Sequence, residues 1–391
     1  MKNKNGWEIK PLKNLGQIVT GNTPKTSKKD NYSSNDYCFF KPGDLRGENI
    51  SILNKSENFV SKLAFEGSRI LPVGSVLVTC IGTIGNVGVT TVISTSNQQI
   101  NAIIPNNDVT SMFLAYSIRS LRSYLNHIAN APVVPIINKT QFSEIIIPVP
   151  PLSIQHQIVS ELDTLSDIIT KRKQQLDELD NLAQATFYEM FGDLVTNEKG
   201  WEIRRLDEVC DLNPKKSEIS EIAGNTNVSF VPMSFVGEKG ELALSENRTI
   251  TEVKSGFTYF KNNDVLFAKI TPCMENGKGT IAKGLTNGIG FGSTEFHVLR
   301  PKEFIISEYI YAITKKSDFR KEAEINMTGS AGQKRVPKDF LAKYKIPVPD
   351  LFYQNKFANR IESIEKQKKL INQSIAEVQQ LFDYTMDKYF N

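Results

Sequence analysis

Two short stretches of this chain occur twice, in the same order and at nearly the same separation. Residues Gly6–Leu12 read GWEIKPL, and Gly200–Leu206 read GWEIRRL, 194 positions later. Residues Ile147–Pro150 read IPVP, and the same four letters return at Ile346–Pro349, 199 positions later. Because ordered repeats at a nearly fixed offset indicate duplicated structural units, we expect two homologous domains, each about half of the chain.

The sequence between these anchors has diverged, but its patterns predict mixed α/β structure. Residues 73–92 read as strand, turn and strand, because the apolar run Val76–Thr79 is followed by closely spaced glycines. Residues 112–128 carry apolar side chains at helical spacing, which predicts one amphipathic helix, and residues 306–319 are its counterpart. The expected fold class is therefore α/β (α+β) globular domains in tandem, with a common scaffold and two different surfaces.

A long heptad pattern follows each IPVP anchor, with spacings of four and three that are typical of a coiled-coil seam. The first seam contains Ile158, Leu162, Leu165, Ile169, Arg172, Leu176, Leu179, Ala183, Thr186 and Met190. The second seam contains Phe357, Ile361, Ile364, Lys368, Ile371, Ile375, Val378, Phe382 and Thr385. A helix from the first to the last residue of the first seam would be roughly 50 Å long.

We expect the two seams to pack on each other, because neither helix has a large local core to cover. Each seam has one charged interruption, Arg172 or Lys368, and such interruptions usually fix the register at a cost in stability. The alternative is two unrelated amphipathic helices that lie on separate cores.

Charge follows the same division of the chain. The 391 residues are too many for one compact core. The net charge is +6 in residues 1–150, −5 in 151–196, +3 in 197–349 and 0 in 350–391. A polyanion would be drawn to the two basic domains and not to the helical segments between and after them. A random surface excess of lysine is the alternative explanation.

Composition excludes several classes of protein. Apolar residues make up 40% and charged residues 23%, and no apolar run is long enough to span a membrane. The N-terminus lacks an apolar signal core, so we expect a cytoplasmic protein. With three histidines and four dispersed cysteines, a zinc finger or a disulfide framework is not expected.

Catalytic motifs are not found in the sequence. It has no Gly-x4-Gly-Lys-Ser/Thr loop, and Asn213-Pro214-Lys215 does not match the Asn/Asp-Pro-Pro-aromatic site of amino-methyltransferases. Nucleases of the Pro-Asp…Glu-x-Lys type need a Pro-Asp upstream of Glu-x-Lys. Glu252-Val253-Lys254 has no such Pro-Asp before it. We therefore expect a binding protein rather than an enzyme, with no catalytic, cofactor-binding or metal-ligating residues in this chain.

Polar and basic residues around glycine and proline turns are the candidates for nucleic-acid contacts, since lysine and arginine neutralise phosphates and amide or guanidinium groups read base edges. In the first half they are Thr23, Lys25, Lys28, Lys29, Lys41, Arg46, Arg69, Thr83, Asn86, Gln98, Asn138 and Lys139. In the second half they are Lys215, Lys216, Lys269, Thr271, Asn276, Lys278, Lys334 and Arg335. For any single residue, a solvated loop position is the competing interpretation.

Lys334 and Arg335 rank above the other candidates. They align with Asn138 and Lys139 when the halves are compared, and both pairs come just before the IPVP anchor. Equivalent positions in two copies of a scaffold are expected to face the same ligand.

Five motifs together resemble the specificity subunit of type I restriction–modification systems. They are the Gly-Trp-x4-Leu opening, Thr20–Pro24, Lys41–Leu45, the Ile81–Gly85 turn, and Ile147–Ile158 before the heptad helix. The resemblance covers nearly the whole chain in two copies. The second copy departs from it at Asn213–Lys215, at Thr271–Cys273, and at Asp350 and Lys356, which puts its contact residues in doubt more than its role.

The resemblance implies an architecture. Residues 1–150 and 197–349 would be two target recognition domains. Residues 151–196 would hold the central coiled-coil helix and linker, and 350–391 the C-terminal coiled-coil helix. The two helices would pair antiparallel, which gives the internal repeat a pseudo-twofold arrangement.

The resemblance also implies a function. The chain would be non-catalytic, each domain would read one half of an asymmetric bipartite DNA target, and the helices would set the spacing. Two modification subunits carrying S-adenosylmethionine would methylate adenines, and restriction subunits using ATP and Mg²⁺ would translocate and cleave DNA. Two other functions stay open: a self-contained methyltransferase or nuclease, and a coiled-coil scaffold whose domains bind protein.

Overall fold

The computed structural model describes residues 6–47, 49–129, 134–330 and 332–390. The chain forms two compact units, of which the first contains Met1–Gln175 with Ile371–Asn391 and the second contains Leu176–Leu370. Each unit therefore holds one globular domain together with part of both long helices. The boundaries of the two units therefore differ from the division of the sequence at residues 150, 196 and 349.

The strands of the first domain are β1 Glu8–Pro11, β2 Gly16–Thr20, β3 Tyr37–Phe40, β4 Ser51–Leu53, β5 Phe59–Val60, β6 Val76–Thr79, β7 Val87–Thr90, β8 Ser94–Ser96, β9 Ile100–Pro105 and β10 Ile146–Val149. They form a five-stranded sheet of order β2-β9-β6-β7-β4, a three-stranded sheet β5-β3-β8 and a two-stranded sheet β1-β10. The helices are α1 Lys62–Glu66, α2 Ser111–Ser120, α3 Arg122–Ile128, α4 Lys139–Ser143 and the start of α5 Leu152–Phe191.

The strands of the second domain are β11 Glu202–Arg205, β12 Cys210–Leu212, β13 Asn227–Val231, β14 Asn247–Thr249, β15 Thr258–Lys261, β16 Val265–Ala268, β17 Gly279–Ile281, β18 Ile289–Gly292, β19 Phe296–Pro301 and β20 Lys345–Val348. They form sheets of order β12-β19-β16-β17, β14-β13-β18-β15 and β11-β20. The helices are α6 Leu206–Val209, α7 Ile250–Val253, α8 Ser307–Lys315, α9 Ser317–Ile325, α10 Lys338–Lys343 and α11 Leu351–Phe390. The expected tandem α/β class is confirmed.

The repeated sequence anchors are hydrogen-bonded to each other within each domain. Strand β1 pairs antiparallel with β10, with Ile9 opposite Pro148, and β11 pairs in the same way with β20, with Ile203 opposite Pro347. Proline lacks an amide donor, and a two-stranded sheet tolerates it because each strand has a free edge. The two anchors therefore close each domain at the start of its long helix, which explains why the ends of the repeat are the parts that match.

The strand–turn–strand prediction for residues 73–92 is confirmed by the antiparallel pair β6–β7, and β16–β17 is its counterpart. The predicted single helices are each broken once. The first is interrupted at Leu121, between α2 and α3. The second is interrupted at Lys316, which is extended at ψ 140°, between α8 and α9. Serine and threonine side chains hydrogen-bond to the helix backbone before each break (Ser120 to Ser117, Thr314 to Tyr311), while the apolar spacing continues across it.

The predicted seams are on the inner faces of α5 and α11. In the first unit Ile158, Leu162 and Ile169 share a core cluster with Phe382, and Ile375 packs against it. Because the first half of α5 meets the last half of α11, the helices pair antiparallel. In the second unit the aromatic rings of Phe187 and Phe191 contact Phe357, which gives the same direction of pairing.

The expectation that neither helix covers a local core was wrong, although the pairing of the two helices is confirmed. The seam residues Ile158 and Leu162 belong to one buried cluster with Leu12, Phe113 and Leu114 of the first domain. Each helix end therefore does cover a domain core, and the partner helix completes the same core. Among the residues described, no helix combines the length and apolar composition that crossing a membrane requires.

The two charged seam positions have different surroundings. The Nζ atom of Lys368 lies 2.9 Å from Asp180 Oδ1 and 2.9 Å from Glu365 Oε1, and its side chain is only 13% exposed. Arg172 donates to Gln175 on its own helix. Lys368 therefore links α11 to α5, whereas Arg172 makes no such link among the described residues.

Candidate nucleic-acid interface

Strand ends of the first domain converge on one edge. Strands β3 and β8 are parallel, with Phe40 opposite Ser96, so the segments that follow them leave on the same side. The last residue of β2, Thr20, is opposite Asn101, and the last residue of β6 is opposite Ile100. We call the segments 20–25, 41–46, 80–86, 97–101 and 134–139 the first loop edge.

Hydrogen bonds hold these segments together. The amide of Cys80 donates to Gln99 O at 2.8 Å, the amide of Ile137 donates to Cys80 O at 2.9 Å, and the amide of Gly82 donates to Pro135 O at 3.1 Å. The candidates on this loop edge are Thr23, Lys25, Lys41, Arg46, Thr83, Asn86, Gln98, Asn138 and Lys139, whereas Lys28, Lys29 and Arg69 lie outside its segments.

The Thr20–Pro24 motif has a steric cause. A Cβ at Gly21 would lie 2.1 Å from Asn97 O, so only glycine allows this loop to approach the neighbouring turn. The side chain of Asn22 accepts from the amide of Arg69 at 3.0 Å, and the Arg69 guanidinium donates to Thr20 O. Thr23 donates to Gln98, which joins two candidates directly.

The candidates of the first domain divide into two groups. Within the described part of the chain, five exposed side chains have no hydrogen-bond or ion-pair partner: Lys25, Lys28, Lys29, Thr83 and Lys139. The other side chains are engaged within the domain. Lys41 donates to Asn58, Arg46 pairs with Glu57, Arg69 donates to Thr20, Asn86 donates to Leu45, Gln98 accepts from Thr23, and Asn138 caps α4 through Gln141.

The second domain repeats this framework with other side chains. The amide of Lys269 donates to Glu295 O at 2.9 Å, as Cys80 does to Gln99, and the amide of Val336 donates to Lys269 O at 2.9 Å. The amide of Thr271 donates to Lys334 O at 3.0 Å. The segments 213–216, 269–278, 293–297 and 334–336 form the second loop edge.

These matched hydrogen bonds correct one alignment. Thr271 and Lys334 bond as Gly82 and Pro135 do, so Lys334 and Arg335 are equivalent to Pro135 and Ile136, not to Asn138 and Lys139. The N-cap of α4 is Asn138, and the N-cap of α10 is Pro337, in agreement. The IPVP offset of 199 applies to this segment, whereas pairing Lys334 with Asn138 requires an offset of 196.

The candidates of the second domain also divide into two groups. Lys215, Asn276 and Lys334 are exposed, and Lys269 is half-buried; none of these four side chains has a hydrogen-bond or ion-pair partner among the described residues. The others are engaged: Lys216 donates to Lys254 O, Thr271 to Glu275, Lys278 to Met233 O and Arg335 to Glu295.

Sequence reasoning missed Glu295, the partner of Arg335. The guanidinium donates to both carboxylate oxygens at 2.9 Å, and these hydrogen bonds lower the pKa of Glu295 below its ordinary value. No local sequence pattern marks Glu295, because its equivalence with Gln99 follows only from the matched hydrogen bonds of the two loop edges.

Arg320 was missed as well, and nothing in its local sequence marks it. Its buried guanidinium donates to the carbonyl oxygens of Thr314, Met274 and Gly277, at 2.6, 2.6 and 3.3 Å, and lies over the Phe267 ring. Burial lowers its pKa to about 10. Arg320 therefore holds the 271–278 turn, which carries three of the candidates.

His297 is, after Arg320, a second buried polar residue that supports the second loop edge. Its Nε2–H donates to Val336 O at 2.8 Å, and its Nδ1 accepts from Asn213 at 3.1 Å. Asn101 is at the equivalent position and donates to Ile137 O at 3.3 Å. Burial lowers the pKa of His297 to about 4, which keeps the imidazole neutral. Among the described residues no cluster of histidine, cysteine or carboxylate side chains could hold a metal ion.

Two copies of one framework, each with its own polar loops, define a tandem-domain protein. The chain belongs to the type I restriction modification DNA specificity domain family, whose model matches residues 4–181 and 198–380.

Similar proteins carry the same description. The chain is 41% identical over 167 residues to the type I restriction enzyme EcoAI specificity subunit of Escherichia coli, covering 42% of this chain and 28% of that protein. It is 31% identical over 225 residues to the MjaIX specificity subunit of Methanocaldococcus jannaschii, covering 53% and 52%. The matches thus span between about a quarter and a half of these relatives' lengths.

Solved structures share the fold. A type I restriction–modification S subunit from M. genitalium superposes with a TM-score of 0.57 at 13% identity, covering 100% of this chain and 97% of that chain. A chain from a structure on complex assembly and conformational transition of the type I R-M system gives a TM-score of 0.58 at 17% identity, covering 100% and 98%.

Proposed function

We propose that this chain is the non-catalytic, sequence-recognising subunit of a type I restriction–modification complex and binds an asymmetric, bipartite duplex DNA target. The observation that carries the proposal is that one hydrogen-bond framework presents two unlike sets of polar and basic loops. Exposed lysines suit phosphate contacts, while amide and guanidinium groups suit base edges. Two domains with different loops would read two different half-sites, which accounts for the asymmetry.

The partners would be two modification subunits, with restriction subunits added to that core. S-adenosylmethionine would bind to the modification subunits, and ATP with Mg²⁺ to the restriction subunits, so this chain would bind no cofactor itself. The outer faces of α5 and α11 are the candidate docking surfaces, and exposed apolar side chains there support this: Leu182, Leu370 and Leu381 are 50%, 65% and 51% exposed. The complex would work in the cytoplasm, where its DNA is.

One experiment distinguishes the proposed non-catalytic function from the competing enzyme function. The purified chain is incubated alone with DNA and radiolabelled S-adenosylmethionine, and in parallel with modification subunits. We expect label in DNA only when the modification subunits are present. Label transfer by this chain alone would show that it is itself a methyltransferase.

Sequence recognition is tested by selection from a random duplex library. The assembled methyltransferase should enrich two defined half-sites separated by an unread spacer of fixed length. Enrichment of no sequence, with the modification subunits supplied, would favour a coiled-coil scaffold whose domains bind protein.

A further inference from the structure

One structurally equivalent position of the two loop edges has an apolar side chain in the first domain and a cationic side chain in the second. Ile136 forms an isolated antiparallel bridge with Ile81, and Arg335 forms the same bridge with Ile270. The backbone is therefore placed in the same way in both domains. At this position the first domain presents an aliphatic side chain that is 43% exposed, and the second presents a guanidinium group.

The Arg335 guanidinium is held in place before any ligand binds. Its Nε and Nη2 donate to the two oxygens of Glu295 at 2.9 Å each, and its Nη1 donates to Gln333 O at 3.0 Å. Its backbone exchanges two hydrogen bonds with Thr328, at 2.8 and 3.0 Å. A group that is already oriented loses little conformational entropy on binding.

The held guanidinium still has donors to offer. An arginine side chain has five N–H groups. The three hydrogen bonds above leave one N–H on Nη1 and one on Nη2, and the side chain is 42% exposed. Two donors of one guanidinium can match guanine, which presents the acceptors O6 and N7 in the major groove, whereas adenine presents one acceptor beside a donor.

The carboxylate of Glu295 argues against a phosphate contact at this position. It neutralises the charge of Arg335, and it would lie close to any phosphate that Arg335 touched. Lys334, next to it, is exposed and has no ion-pair partner in the described part of the chain, so it is better suited to a phosphate. Arg335 is thus suited to a base edge, and Lys334 to the DNA backbone.

We propose that Arg335, held by Glu295, is a specificity-determining residue that reads a guanine in the half-site bound by the second domain. The proposal rests on the proposed function and adds a base to it. Ile136 has no donor at the equivalent position, so the first domain gains no guanine preference from it.

The test uses the full chain assembled with modification subunits and a random duplex library. Wild type is compared with Arg335→Ile, Arg335→Lys and the neighbouring control Lys334→Gln. Arg335→Ile should lose a guanine preference of roughly 10- to 100-fold at one position of one half-site, the discrimination of a bidentate contact, with the other half-site unchanged. Arg335→Lys should keep most of the affinity and lose most of this preference, since its ammonium lacks the planar fork that Glu295 holds in one orientation. Lys334→Gln should weaken all sequences equally.

The outcomes distinguish the assignment of Arg335 from the proposed function on which it rests. If the wild-type complex enriches no sequence, the proposed function fails. If wild type enriches a bipartite site and both Arg335 variants enrich the same bases equally well, the assignment of Arg335 is overturned while the proposed function stands. Arg335→Lys retains the charge beside Glu295, so it reports on recognition even if Arg335→Ile does not fold.

Discussion

The side-chain amide of Gln155 donates a hydrogen bond to the carbonyl oxygen of Pro150 at 2.9 Å. The same amide group donates to Asp108 O and accepts from the amide of Thr110, both at 2.9 Å. Gln354 repeats the arrangement in the second domain, with bonds to Pro349, Phe304 and Ile306. A fully buried amide therefore ties the start of each long helix to the segment that enters α2 or α8 of the same domain.

Replacing Gln155 should destabilise the first domain. Gln155→Leu leaves a buried amide donor and two carbonyl oxygens without partners, so we expect the free energy of unfolding to fall by about 2–4 kcal/mol. Trp7 is the only tryptophan left in a Trp201→Phe background, and its fluorescence during urea unfolding reports on this domain. The exposed control Gln157→Leu should change stability by less than about 0.5 kcal/mol. Equal effects of the two substitutions would contradict the role given to Gln155.

His297 should make the second domain sensitive to acid. Burial lowers its pKa from 6.5 to about 4, with Lys269 and Lys338 adding to the effect and Glu295 opposing it. Because the unfolded chain takes up the proton first, the stabilisation is complete above pH 6.5 and is lost as pH falls toward 4, by roughly 3 kcal/mol at most. Protonation of Nδ1 would also place an N–H against the Asn213 amide donor.

The matched substitution is His297→Asn, since Asn101 is the equivalent residue of the first domain. It should remove most of the pH dependence of unfolding between pH 7 and 4, followed through Trp201 in a Trp7→Phe background. The exposed control His156→Asn should leave that dependence in place. A wild-type stability that does not change over this range would show that His297 is not held neutral.

The ion pair between Lys368 and Asp180 should stabilise the second unit at neutral pH. Burial alone would raise the pKa of Asp180, but hydrogen bonds and charge from Lys368 and Lys239 lower it below 3.8. This stabilisation is therefore present above about pH 4 and is lost as pH falls through the lower pKa of the folded state. Asp180→Asn should cost about 1–2 kcal/mol at pH 7, between the values for exposed and buried pairs, and less as the pH falls through the pKa of Asp180 in the folded state. An Asp177→Asn control with the same effect at pH 7 would show that the pair itself does not stabilise the unit.

The unpaired lysines Lys28 and Lys29, which follow the 20–25 segment of the first loop edge, should govern the salt dependence of DNA binding. Lys28→Gln with Lys29→Gln should reduce the slope of log K against log salt by about 0.9 for each phosphate that the variant no longer neutralises. The half-site sequence should stay the same, because phosphate contacts carry no base information. Lys62→Gln, which removes a lysine near Glu66 on α1, is the control. An unchanged slope would place Lys28 and Lys29 away from the DNA.

The length of the helices should set the spacer. Four residues inserted between Leu165 and Leu176 would shift the heptad register and disturb the seam, so the preferred spacer should change while both half-sites stay the same. The control carries alanine at the exposed positions 167, 170, 171 and 174 and should keep the wild-type spacer. Selection from a random duplex library measures both, and an unchanged spacer after the insertion would contradict a role for the helices in spacing.

The sequence by itself determined the features that depend on local spacing. The duplicated anchors revealed two domains, the alternation of four and three placed Ile158 and Phe382 on buried helix faces, and the run at Val76–Thr79 identified a strand. These patterns can be read without a structure because helix and strand periodicities follow from backbone geometry over a few residues. The breaks at Leu121 and Lys316 escaped detection, since apolar spacing alone does not report helix ends.

Only the tertiary structure decided which distant residues meet. Arg335 and Glu295 lie 40 positions apart, and their pairing depends on strands β16 and β19 bringing their segments together. The equivalence of Arg335 with Ile136 was hidden because the two halves differ in loop length, so the offset changes from 189 at the Gly82 turn to 199 at the closing strand. Such equivalences between residues of the two domains are defined by long-range hydrogen bonds, and the spacing of residues along the sequence does not reveal them.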